Sequence, residues 1–199
     1  MSHQSNRLST VSVGIGLAFL VAAGAAPAQG TSNSSSSTSS MKAGTSASVP
    51  AADKAFVEKA AVGGMAEVQM GKMAQQKGSS DQVKQFGGRM VDDHSKANDE
   101  LKQIASAKGI ALPTDLDAKH KSKMDKMEKL SGAQFDRAYM DEMVADHKQD
   151  VAEFKKQASS GKDSDLKAFA AKTLPTLEDH LKMAQSTDAA VKGSKSASR

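Results

Sequence analysis

Cysteine is absent from all 199 residues, which excludes disulfides, thiolate metal sites, thiol catalysis and a lipoprotein anchor. Aromatic residues are scarce, with six Phe, one Tyr and no Trp, so Ala, Met, Leu and Val must fill any core. Few aromatic and β-branched residues beside abundant Ala, Lys, Met, Gln and Asp favour helix over sheet. Strong charge of one sign is also missing. The net charge of +4 is spread as interleaved Lys, Asp and Glu, the pattern of solvated helix faces, which argues against a nucleic-acid partner. No segment beyond the N-terminal apolar run is apolar enough to cross a membrane. There is no phosphate-cradling glycine loop, and no Ser stands in a nucleophile context with a His and an acid. An enzyme therefore ranks below a binding or structural protein.

The chain opens with a leader pattern. Arg7 precedes an apolar run from Val11 to Ala26, and Ala26-Pro27-Ala28 places small residues where a signal peptidase reads them. Residues 1–28 are thus expected to be a signal peptide cleaved after Ala28, which makes the protein periplasmic or secreted. Residues 29–50 are mostly Ser, Thr, Gly and Ala and read as a disordered linker. Residues 191–199 read as a disordered basic tail.

Between them, residues 51–190 carry helical periodicity. The spacing predicts helices over about 51–77, 81–108, 132–159 and 163–190, with a shorter charged helix over 115–130. Gly78-Ser79-Ser80, Gly109 and Ser159-Ser160-Gly161 supply the stops, and Ser79 or Ser80 is expected to cap the second helix. Pro175 is expected to kink the last helix. Val83-Lys84-Gln85-Phe86 and Leu166-Lys167-Ala168-Phe169 form a weak internal repeat, each leading towards an Asp-His step. Two helical hairpins joined by a long connection make a ferritin-like four-helix bundle, with a plain antiparallel bundle as the alternative.

Three phrases stand at the middle of these helices: Met90-Val91-Asp92-Asp93-His94, Met143-Val144-Ala145-Asp146-His147 and Leu177-Glu178-Asp179-His180. On the helical stripes His94, His147 and His180 fall inward, and so does Glu67 on the first helix. The other histidine of this region, His120, sits among lysines and reads as solvated. Imidazole and carboxylate together suit zinc, iron, copper or manganese, and facing helices are where bundles hold such ions. Glu67, His94, His147 and His180 are therefore the candidate metal ligands, with Asp93, Asp146 and Asp179 beside the histidines as supporting groups or exposed charges. The competing reading is a metal-free structural or interaction module whose buried polar residues fix helix register. Counted along the helices, Glu67 and His94 differ in height by roughly 7 Å, so convergence on one ion needs helix tilt. The diiron signature is absent, because Val91, Val144 and Leu177 stand where a Glu three residues before each His is required. Met140, Met143 and His147 share a face that would suit Cu(I), although Met also serves simply to fill a core poor in aromatics.

Several of these runs together resemble one family. Ala66-Glu67-Val68 with Gly71-Lys72, Arg89-Met90-Val91-Asp92-Asp93-His94, Phe135-Asp136-Arg137-Ala138-Tyr139, and Leu174-Pro175-Thr176-Leu177 with His180 are similar to an exported bacterial family. It is the domain-of-unknown-function family four-one-four-two, often labelled an outer-membrane protein, and the likeness spans about residues 52–186. The resemblance implies a ferritin-like bundle behind a signal peptide and implies no activity. The label itself finds no barrel pattern and no lipid-anchoring cysteine in this sequence. The expectation is an all-α, ferritin-like bundle with an extra short helix in its central connection, exported as a binding or stress-related envelope protein. Phe135-Asp136-Arg137 is expected to form a helix-start ion pair.

Overall fold

The computed structural model describes residues 48–193, and the leader, most of the linker and residues 194–199 lie outside them. Five helices run in order: α1 Ala51–Lys77, α2 Asp81–Ala107, α3 Ala118–Glu128, α4 Gly132–Ser160 and α5 Ser164–Gly193. The described residues contain no strand. No helix among them is long and apolar enough to cross a membrane. α5 passes through Pro175 and continues to Gly193, three residues into the stretch expected to be tail. There Val191 packs on the core, and Lys192 reaches Asp188 at 2.7 Å and Asp141 on α4. At the other end Val49, in the expected linker, packs half-buried against the core.

Two buried aspartates fix how the hairpins dock. Asp136, near the start of α4, accepts hydrogen bonds from the backbone N–H of Ser79 at 3.0 Å and Ser80 at 2.9 Å. Asp53, near the start of α1, accepts from the N–H of Lys162 at 3.1 Å and Asp163 at 2.7 Å, and from Gln157 Nε2 at 2.9 Å. Each hairpin thus caps the turn of the other and satisfies donors that a helix start leaves unpaired. This corrects two expectations. Asp136 is a cap supplied from another helix rather than half of an ion pair, and Ser80 makes no side-chain capping bond of its own.

The same contacts give the topology. α2 and α4 begin at one end of the bundle, and α1 and α5 begin at the other. α1 packs on α2 and α4, and α5 packs on α4 and α2, so parallel helices face each other only across the diagonals. The connection from Lys108 to Ser131, with α3 in it, must travel the length of the bundle. Gly109, at φ 65°, turns the chain out of α2 while Ile110 N–H bonds back to Ala105 O at 2.8 Å. The ferritin-like plan is observed, and the plain up-and-down alternative is not.

The core falls into two apolar clusters. One holds Met70, Met90, Met140 and Met143 with Phe86, Phe135 and Tyr139. The other is built on Phe56, Phe154 and Phe169, whose ring centroids lie 5.0, 5.9 and 6.4 Å apart. Between the two clusters in sequence register lie the inward polar residues.

Candidate metal centre

Each histidine stands one helical turn beyond a buried apolar residue: His94 after Met90 on α2, His147 after Met143 on α4, and His180 three residues after Leu177 on α5. The stripes therefore carry all three rings into the same layer. His147 and His180 have no exposed surface and His94 has 6%. Their ring centroids form a triangle with sides of 5.7, 5.3 and 5.3 Å. One ring nitrogen from each lies within 4.8 Å of the other two.

The outward nitrogens are all engaged. His94 Nδ1 lies 2.9 Å from Glu67 Oε2. His147 Nδ1 donates to the carbonyl of Met143 at 3.0 Å. His180 Nε2 donates to Asp93 Oδ2 at 3.0 Å, a contact from α5 to the phrase on α2. Arg89 and Lys96 hold that aspartate from either side. The remaining nitrogens, His94 Nε2, His147 Nε2 and His180 Nδ1, are buried without a hydrogen-bond partner. A proton held on the outward nitrogen leaves the inward one as a lone-pair donor. This is how metal-bound histidines are oriented, by a carboxylate or carbonyl on the far side of the ring.

Burial sets the charge state. It drives His94 and His180 down to about 4, and it lowers His147 as well, so all three are neutral at neutral pH. Neutral imidazole is the form that binds a metal. Three imidazoles suit zinc, copper, nickel or iron. A tetrahedral ion with bonds of about 2.0–2.1 Å would set the nitrogens about 3.3 Å apart, so from spacings within 4.8 Å binding needs the triangle to contract by up to about 1.5 Å.

Glu67 is 3% exposed, and the structure sets it behind the triangle rather than in it. Its Oε1 comes no nearer than 3.5 Å to His147 Nδ1 and has no hydrogen-bond partner. Burial pushes its carboxyl up to about 7 despite the opposing pull of His147. Asp150, one turn after His147, meets Glu67, and burial followed by the Glu67 charge raises its carboxyl well above the usual range. The sequence carried a signal for Asp150, three residues after an inward histidine. It carried none for the partnership of Asp93 with His180, because that contact joins two hairpins. Of the other supporting aspartates, Asp146 pairs with Lys123 at 2.7 Å and Asp179 is exposed. His120 is half-buried rather than solvated, its Nδ1 2.7 Å from Asp117 Oδ1. Met140 and Met143 lie in the apolar cluster as core residues.

Comparison with known proteins finds one family, described as a domain of unknown function (DUF4142), matching residues 38–187. No curated protein matches the chain. Among solved structures, a secreted DUF305 protein from Streptomyces coelicolor superposes with a TM-score of 0.61. It is 15% identical, and the alignment covers 71% of this chain and 92% of that one, a likeness of fold.

Proposed function

Because this chain belongs to the DUF4142 family, whose description states no activity, we propose from its own geometry that it binds one transition metal ion in the bundle core. His94, His147 and His180 are the ligands, and Glu67 and Asp93 orient two of the rings. The observation that carries this reading is a trio of buried histidines, each with a ring nitrogen that has no hydrogen-bond partner and each offering a ring nitrogen within 4.8 Å of the other two. A buried polar atom left unpaired costs about 1–3 kcal/mol, and three such atoms on rings this close make a shared partner the economical explanation. The cavity beside His94, about 20 Å³, has room for one water. The leader pattern of residues 1–28 and the secreted structural neighbour support an exported protein, periplasmic or secreted. Residues 29–50 would then tether the bundle of 51–190.

Metal titration of the purified protein followed by thermal melting tests the reading. One equivalent of Zn²⁺, Cu⁺ or Fe²⁺ is expected to bind, and free metal at a hundred times Kd should add about 2.7 kcal/mol of stability. His147→Ala should abolish both effects. A wild-type protein that carries no stoichiometric metal, and whose melting temperature ignores every ion tried, would sink the proposal.

A further inference from the structure

A site with three buried ligands needs a way in. We propose that the acidic cleft between α1, α3 and α4 is the port through which a cation reaches the histidine triangle, an inference that rests on the metal reading above.

The cleft has a volume of about 420 Å³, and six carboxylates line it against two lysines. At its rim Glu58 and Asp117 face solvent, and Glu153 is paired with Lys59 at 2.9 Å. Asp146, Asp150 and Glu153 follow one another on one face of α4. Asp146 is shared with Lys123 from α3. At the bottom stands Glu67, almost wholly buried, with Oε1 lacking a hydrogen-bond partner. The small cavity that His94 lines shares its wall with the cleft, because Ala60, Gly63, Glu67, Asp150 and Phe154 border both. A buried carboxyl oxygen without a hydrogen-bond partner, at the junction of the two spaces, is placed where a cation would pass.

On the far side of the triangle, behind His180, Asp93 is already engaged by Arg89 and Lys96. Along the bundle axis the two apolar clusters close both ends. Gly63 keeps the port wide: a Cβ built there would meet nothing within 4 Å. A long side chain at this position would fill the mouth.

Stopped-flow uptake of Co²⁺ by the metal-free full-length protein, read by the absorption of nitrogen-coordinated cobalt, tests the port. Glu58→Gln combined with Glu153→Gln should slow association by about tenfold at low salt and flatten its dependence on ionic strength. Gly63→Met should slow association and dissociation by the same factor, leaving Kd within about twofold of wild type. Both variants binding one Co²⁺ at the wild-type rate would overturn the port and leave the metal site standing. No Co²⁺ uptake by the wild type would overturn the site, and the port with it. The charge variant changes only residues of the cleft rim, so the test survives if Gly63→Met fails to fold.

Discussion

The inward histidines carry the sharpest test of what the central layer is for. Replacing His147 with Met keeps the volume near that of the ring and removes a buried nitrogen without a partner. If the layer exists to bind metal, the metal-free variant should be as stable as wild type or about 1 kcal/mol more stable, while binding is lost. Urea denaturation in the presence of a chelator measures this. A loss of several kcal/mol would instead favour the register-fixing reading. Asp93 offers a milder probe, since it touches His180 and none of the inward nitrogens. Asp93→Asn should weaken metal affinity by about 10–100-fold, as losses of such orienting partners do. Chelator competition would show it, and unchanged affinity would separate Asp93 from the site. The inward placement of Glu67, His94, His147 and His180 is legible in sequence because each falls on a period of 3.6. That Glu67 stands behind His94 is not legible, because it depends on rotamers and on a few ångströms of relative helix height.

At the scale of the helices, α1 and α2 approach at two glycines. A Cβ on Gly71 would meet Gly87 O at 2.6 Å and Val91 Cγ2 at 3.0 Å. Since backbone cannot swing aside as a side chain can, Gly71→Ala should cost about 1–3 kcal/mol. Gly63→Ala, two turns earlier on the same helix, meets open space and should gain about 0.5–1 kcal/mol from helix propensity. Opposite signs from one substitution on one helix are the expected result in chemical denaturation, and equal signs would refute the close approach. The docking of the hairpins can be tested through Asp136, whose carboxylate holds the start of α2. Asp136→Ala should cost about 1–3 kcal/mol, with faster amide exchange first at the 78–83 turn. Helix limits are readable to within a few residues because Gly and Ser mark the turns. The caps are not, because both aspartates act on turns more than 50 residues away in sequence.

For the molecule as a whole, the long connection with α3 in it points to a crossover, but the sequence leaves the plain bundle open. The choice is made by Asp53 and Asp136, which pair helix starts across hairpins. The central layer then joins both hairpins, so its charge balance governs how global stability responds to pH. In the metal-free protein, burial holds His94 and His180 down to about 4, and it lowers His147 too, from an ordinary value of 6.5. As pH falls from 6.5 towards 4, the unfolded chain takes up protons that the folded chain refuses, and stability is withdrawn. Glu67 acts in the opposite sense, because its carboxyl is raised from 4.5 to about 7. Its contribution is present in full below 4.5 and is lost as pH rises through 7, and the raised Asp150 adds to it. Between pH 4.5 and 6.5 the two sets oppose each other, so wild-type stability should change little there. Glu67→Gln removes the main carboxylate and leaves only Asp150 to oppose the histidines, so its stability should fall more steeply than that of wild type as pH drops across that window. Denaturation midpoints at half-unit pH steps, with chelator present, decide the matter. A variant as flat as wild type would show that Glu67 does not set the charge balance of the layer.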